Sequence, residues 1–324
     1  MNSSTFLTLG TLAVCGMLHG QAPDVPIYPE GRQPKSQTAI TDEANRLKER
    51  GELIPMEKIV EQMSRTTCEL QLPPAHLKKL EGRELWQTAR HAHLRVGWHY
   101  LCKKCNNWHL NLAGGYAITQ DAVVTCGHVL ENDNIREGYL IVADEDDHVI
   151  PVVEVLAANR ATDTAVIRVK GGKLNPLPFS FDVMPGDKVY CFSEPKGRRG
   201  YFSEGMVNRF TQHPFRNNMR VPAAGSDTSK PEVAKPAAPT TPVSSPSEND
   251  PVWIQVSSSW APGSSGSAVL DACGNAIGHV SQIQTVYQDP SKPGTGAPGT
   301  LMVLHDAIAA KNVLKLIKNK PRSE

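Results

Sequence analysis

From residue 94 onward the chain is written in short apolar segments, rich in valine and isoleucine, and these come in two groups of six. The first group covers residues 94–97, 116–119, 122–125, 139–142, 152–156 and 164–169; the second covers 187–192, 205–207, 253–256, 267–270, 277–280 and 301–304. Most are bounded by Gly, Asp or Asn, residues that end strands and form turns. The segments are too short and too β-branched to be helices. A set of short strands protects its edges best by closing on itself, so two groups of six predict an all-β fold of two six-stranded antiparallel β-barrels. A chain of 324 residues has room for one such two-barrel unit plus additional segments.

The segments outside the strands differ in texture. Residues 41–92 carry Ala44, Leu47, Ile54, Ile59, Val60, Met63, Leu77, Leu80, Leu85 and Trp86 at helical period among charges, and Pro55, Pro73 and Pro74 divide them into short helices. Near the other end, Ala307, Ile308, Val313, Leu314 and Ile317 predict an amphipathic helix over residues 306–318. Residues 222–251 hold seven prolines among Ser, Thr and Ala, a composition that reads as a disordered insertion in a surface loop of the second barrel. Residues 1–20 read as a signal peptide, with an apolar run over 5–18, although no Lys or Arg precedes that run. An uncleaved apolar anchor, or lipidation at Leu12-Ala13-Val14-Cys15, are the alternatives. The expected organisation is therefore a signal peptide (1–20), a helical region (21–93) and a barrel domain (94–320) in an exported protein, periplasmic or extracellular, with no stable membrane span after signal removal. With 34 basic and 33 acidic residues, no global charge favours nucleic acid or an anionic membrane.

Three stretches within the strands carry chemistry: Val123-Val124-Thr125-Cys126-Gly127-His128, Ala161-Thr162-Asp163-Thr164-Ala165-Val166 and Ala261-Pro262-Gly263-Ser264-Ser265-Gly266-Ser267. A serine hydroxyl is a weak nucleophile at neutral pH and needs a base within reach and a third group to orient that base. Ser265, His128 and Asp163 supply those roles at a strand end, a strand start and a glycine-bounded turn. Alone, the Gly-Ser string would read as a linker, the histidine as a packed ring and the aspartate as a turn residue. Their order, His then Asp then Ser, is one of the known triad orders, whereas a nucleophile elbow of the Gly-x-Ser-x-Gly type is absent because Ser267 takes its last glycine position. The backbone amides of Gly263 and Ser265 are candidates for an oxyanion hole.

Over residues 94–318 the chain resembles the trypsin-like serine proteases of chymotrypsin fold, particularly the bacterial HtrA/Deg branch without a PDZ domain. The resemblance rests on Thr125-Cys126-Gly127-His128-Val129, on Asp163-Thr164-Ala165-Val166-Ile167, on Pro185-Gly186-Asp187-Lys188-Val189 and on Pro262-Gly263-Ser264-Ser265-Gly266-Ser267-Ala268. It implies a serine endopeptidase that forms an acyl-enzyme, needs no cofactor and takes protein or peptide substrates. Ser264, Ser267 and Ala268 depart from the family's Asn or Asp, Gly and Pro, which implies a less rigid nucleophile turn and leaves open a catalytically inactive, protease-shaped binding module. By the same resemblance Ser259, six positions before Ser265, floors the primary specificity pocket, beside Trp260. It offers no carboxylate for Lys or Arg, so small or apolar residues are the expected preference. Residues 301–304, with Met302 and Val303, are the expected strand for pairing an extended substrate.

Outside the apolar leader the cysteines are Cys68, Cys102, Cys105, Cys126, Cys191 and Cys273, an even set that suits an oxidising compartment. Cys102-x-x-Cys105, followed by Trp108 and His109, reads as a disulfide-stapled loop, as a zinc site with His109 and perhaps His99, or as free thiols; no metal is assigned. A disulfide between Cys191 and Cys273 is implied by resemblance to animal trypsins.

Overall fold

The computed structural model describes residues 26–28, 34–215, 250–287 and 300–319. The leader over 1–20 and all but the last two residues of the 222–251 insertion lie outside the described residues. The chain begins with helices α1 (Pro34–Glu49) and α2 (Met56–Gln62), strand β1 (Cys68–Leu70) and helix α3 (Gly82–Ala92). Six strands follow: β2 (His93–Cys102), β3 (Trp108–Ala117), β4 (Ala122–Thr125), β5 (Ile135–Ala143), β6 (Val149–Asn159) and β7 (Thr164–Val169). They close in the order β2-β3-β4-β7-β6-β5. The next six are β8 (Lys188–Ser193), β9 (Tyr201–Gln212), β10 (Val252–Val256), β11 (Ala268–Leu270), β12 (Ala276–Tyr287) and β13 (Thr300–Ala309), closed as β10-β13-β12-β11-β8-β9. Helix α4 (Ala310–Leu314) and strand β14 (Ile317–Asn319) complete the described chain. The two six-stranded antiparallel barrels are the architecture that the strand pattern predicts.

Each barrel has its own apolar filling. Leu94, Val96, Trp98, Val123, Leu140, Val142, Val155 and Ile167 fill the first, and Val189, Cys191, Val207, Ile254, Val256, Val269 and Val280 the second. A third cluster lies where the barrels meet, with Tyr116, Ile118 and Val166 of the first against Leu270 and Ala276 of the second. Helix α3 enters this seam with Ala89 and Ala92, and its start is fixed by a capping box between Glu81 and Glu84. Helix α1 presents Ile40, Ala44 and Leu47, spaced to share one face, to Ile141, Ala143 and Val149 on the outside of the first barrel. Strand β1 pairs parallel with β14, which ties the helical region to the far end of the chain.

The helix expected over 306–318 is shorter than its pattern suggests. Asp306 to Ala309 belong to β13, held between β10 and β12, so the apolar residues there fill a barrel wall and only Ala310–Leu314 turn as a helix. The expected disulfide between Cys191 and Cys273 is not formed: Cys191 is inside the second barrel, whereas Cys273 sits on the turn between β11 and β12, where its N–H donates to Asp271 Oδ1 at 2.8 Å. All six described cysteines are free thiols, Cys102 and Cys105 included. No helix of the described residues is long and apolar enough to cross a membrane.

Candidate active site

Strand β4 ends at Thr125 and the chain turns through a short 3-10 helix, Gly127–Leu130, that carries His128. Two bonds fix this exit: Thr125 Oγ1 donates to Gly114 O at 2.8 Å, and Trp98 Nε1 donates to Val129 O at 3.1 Å. Asp163 sits at the end of the β6–β7 turn with φ of +45°, a conformation that aspartate tolerates better than most residues. The Asn159 side chain builds this turn by accepting from the N–H groups of Ala161 and Thr162 at 2.9 and 3.3 Å.

The structure joins His128 and Asp163 directly. His128 Nδ1 lies 3.0 and 2.9 Å from the two carboxylate oxygens of Asp163, and the His128 backbone N–H donates to the same carboxylate at 3.0 Å. An ionised carboxylate only accepts, so Nδ1 carries the proton and Nε2 is left with a free lone pair, the tautomer a general base needs. Asp163 is 1% exposed. Burial alone would raise its carboxyl pKa, but the hydrogen bond and charge of His128 and the Ser281 hydroxyl, which donates at 2.6 Å, outweigh that and hold it below its ordinary value of 3.8. His279 Nε2 lies 3.1 Å from the Asp163 carbonyl, and burial keeps its own pKa below the usual value. Neither Ser281 nor His279 was singled out from the sequence. The segment predicted over 277–280 includes His279 and stops one residue short of Ser281, and no local pattern marks which side chain meets a residue more than a hundred positions away.

Ser265 is 8% exposed and sits on a turn pinned to both barrels. Its carbonyl accepts from Gly114 N at 2.7 Å, and Gly266 N donates to Val280 O at 2.8 Å. Gly114 is required there for lack of space: a Cβ on it would meet Ser267 Oγ at 2.1 Å. Within the turn, Ser264 N donates to Ala261 O and Ser267 N to Ser264 O, each at 3.0 Å, and Ser264 Oγ donates to Ser193 Oγ at 3.1 Å. The unusual serines thus leave a turn with internal bonds. Gly263 has φ of +102°, a region open to glycine alone in practice. Among the described residues, the amides of Gly263 and Ser265 donate to no protein group, and the Ser265 hydroxyl makes no hydrogen bond. Both amides are therefore left with a donor to spare.

The other expected site residues are more scattered. Ser259 is exposed, and its carbonyl accepts from Ser203 Oγ at 3.0 Å. Trp260 packs into the second barrel's filling, donates from Nε1 to Gln282 O at 3.2 Å and meets His305 edge-on at 5.1 Å. Met302 and Val303 are exposed on β13 opposite Val286 and Thr285 of β12. That is about 15 Å along β12 from Ser281, so they are not gathered with His128 and Asp163. Cys126 donates its thiol to Val280 O at 3.0 Å, and burial raises its pKa well above the ordinary value, so it remains a neutral thiol. Cys102, Cys105 and His109 gather at the β2–β3 hairpin tip, away from this pair; His99 does not join them, because its Nε2 lies 2.9 Å from Asn45 Oδ1.

No curated protein matches the chain. Residues 113–278, just over half of it and spanning His128, Asp163 and Ser265, match the trypsin-like peptidase domain. With two closed six-stranded antiparallel barrels meeting at that segment, the chain belongs to the trypsin-like peptidase family, of chymotrypsin fold.

Proposed function

We propose that the protein is an exported serine endopeptidase that hydrolyses peptide bonds through an acyl-enzyme. The observation that carries this reading is the pairing of His128 with the buried Asp163 carboxylate, which leaves Nε2 as the imidazole nitrogen without a partner among the described residues. Nε2 of His128 takes the proton of Ser265 as its Oγ bonds to the substrate carbonyl carbon, and returns it to the amine nitrogen as the C–N bond breaks. Water then gives its proton to the same nitrogen as its oxygen bonds to the acyl carbon, and Nε2 passes that proton to Ser265 Oγ as the ester C–O bond breaks, restoring the hydroxyl and the neutral ring. The amides of Gly263 and Ser265 hold the oxyanion in both halves, each worth about 3–4 kcal/mol. Asp163 keeps the ring in its tautomer and stabilises its cationic form.

Substrate backbone pairs with β12 in this reading. Val280 of that strand is bonded to the serine turn, accepting from Gly266 N at 2.8 Å and donating to Ser267 O at 2.9 Å, and Ser281 links it to Asp163, so the strand runs beside the reacting atoms. Ser259 brings no charge to the primary pocket, in keeping with cleavage after small or apolar residues. Export rests on the apolar run over residues 5–18.

A fluorophosphonate probe tests the assignment. The full chain should be labelled at Ser265, while the Ser265→Ala variant, equally folded by circular dichroism, should not be. Absence of labelling in the wild-type protein would favour the silent binding module instead.

A further inference from the structure

The hairpin joining β2 to β3 ends in a cluster that the proposed reaction does not use. Cys102 closes β2, and Cys105 and His109 follow at Cys-x-x-Cys and Cys-x-x-x-His spacing. Their ligand atoms all lie within 4.8 Å of one another, with Cys105 Sγ 2.9 Å from His109 Nε2. Around a tetrahedral zinc ion, sulfur and nitrogen ligands stand roughly 3.5–3.8 Å apart. Small side-chain shifts would therefore bring all three onto one ion.

The backbone is already shaped for this. The Lys104 N–H donates to Cys102 Sγ at 3.4 Å, which fixes the direction of that sulfur. The turn that brings Cys105 back needs a left-handed residue, and Asn106 supplies it with φ of +57°. Cys102 is held from both sides, its own N–H donating to Asn107 O at 2.9 Å and the next N–H, that of Lys103, to Asn134 O at 2.8 Å. His109 is held by antiparallel pairing with Tyr100. The donors thus sit on strand ends and a bonded turn.

We infer that Cys102, Cys105 and His109 form a binding site for a soft divalent cation of the zinc type, with the fourth coordination position left to water. Two thiolates and a neutral imidazole are a donor set of zinc's preference, and binding releases the thiol protons to solvent, so affinity falls as pH falls. The site borders a groove of about 890 Å³ whose walls include Tyr100, Trp108 and His109 together with Pro262 and Gly263. An ion there stiffens the hairpin wall of the groove that opens onto the nucleophile turn.

The test is metal stoichiometry on the full chain, purified under reducing conditions and loaded with zinc or cobalt(II), and it does not depend on peptidase activity. One equivalent of zinc should survive dialysis, and the cobalt form should show thiolate charge-transfer absorption in the near ultraviolet. Both should vanish in Cys105→Ser and in His109→Ala and persist in Cys273→Ser. Folding of the variants is checked by thermal melting of the metal-free proteins. The inference is overturned if reduced protein retains no metal, if Cys105→Ser keeps its full equivalent, if the ion is lost in His128→Ala instead, or if Cys102 and Cys105 are recovered as a disulfide from protein never exposed to oxidant. Failure of the fluorophosphonate experiment would leave this result untouched.

Discussion

Ser281 donates its hydroxyl to Oδ2 of Asp163 at 2.6 Å, the same oxygen that lies 2.9 Å from His128 Nδ1. The bond crosses from the second barrel to the first, so the orientation of the imidazole depends on the docking of the two barrels as well as on the β6–β7 turn. Removing it by Ser281→Ala leaves a buried carboxylate short of one donor, which costs about 1.5–3 kcal/mol of stability. Asp163 then leans on His128 alone. Fluorophosphonate labelling should slow roughly tenfold, equivalent to about 1.4 kcal/mol of the barrier. Unchanged melting and unchanged labelling would show that the bond carries nothing.

Acid stability should be divided between a histidine and an aspartate. His93 is fully enclosed beside Phe192, its two ring nitrogens have no partner, and burial together with Arg95 and Arg199 pushes its pKa down to about 3. The folded ring stays neutral while the unfolded one takes up a proton near 6.5. Its contribution is therefore complete above pH 6.5 and is lost as pH falls from there toward 3, at up to about 1.4 kcal/mol per pH unit. Asp163, held below its ordinary 3.8, adds a second loss that starts only as pH falls below that value. Urea melts across pH 3–7 should show His93→Phe flattening the upper part of the slope and leaving the part below about pH 4.

Gly114 tests how closely β3 must approach the nucleophile turn. A methyl group there meets Ser267 Oγ at 2.1 Å and Ser267 N at 2.8 Å, and the turn is itself pinned by Gly114 N on Ser265 O. Gly114→Ala should cost about 1–3 kcal/mol through overpacking and should suppress labelling of Ser265 more than the stability loss explains. Gly82, at the first turn of α3 with nothing within 4 Å of its Cβ position, is the matched control. Gly82→Ala should raise stability by about 0.4–1 kcal/mol and leave labelling unchanged.

The barrels are legible in the sequence because each strand carries a Val- and Ile-rich run between turn residues, and each of the twelve runs overlaps a strand. Their lengths are less legible. Strand β3 begins at Trp108, well before the predicted segment at 116, because Asn111 and the Gly114-Gly115 pair interrupt the apolar pattern where the strand passes close to the nucleophile turn. The 306–318 helix fails for a different reason: Ala307 and Ile308 suit either a helix face or a buried strand, and pairing of β13 with β10 and β12 decides between them. At the site, His128, Asp163 and Ser265 are visible because they sit in flanked motifs. Ser281 and Gly114 are not, since their roles exist only once two barrels are packed together.

The same packing links the helical region to the turn at Gly263 through Arg95, which is largely buried. It pairs with Asp147 Oδ1 at 2.7 Å and also donates to the Asp144 carbonyl, while Ser36 of α1 donates to Asp147 Oδ1 at 2.8 Å. Arg199 reaches the same Asp147 oxygen at 3.1 Å, and both arginines face Glu194, at 3.8 and 3.6 Å. Burial raises the Glu194 carboxyl and the two arginines oppose that rise, so losing one cation leaves an acid that protonates more readily. Two residues on from Glu194, Lys196 N donates to Pro262 O at 2.7 Å, next to the Gly263 amide. Arg95→Leu should therefore act in two places. Breaking a buried pair from one side costs about 3–5 kcal/mol, read as a lower denaturation midpoint. Loosening residues 194–196 should also slow labelling of Ser265 under conditions where the variant is fully folded. Exposed Arg46, whose partners Glu43 and the Asp42 carbonyl both lie within α1, is the contrast: Arg46→Leu should change stability by less than about 0.5 kcal/mol and labelling not at all. A lower midpoint with an unaltered labelling rate in Arg95→Leu would confine the cluster to holding α1 against the first barrel.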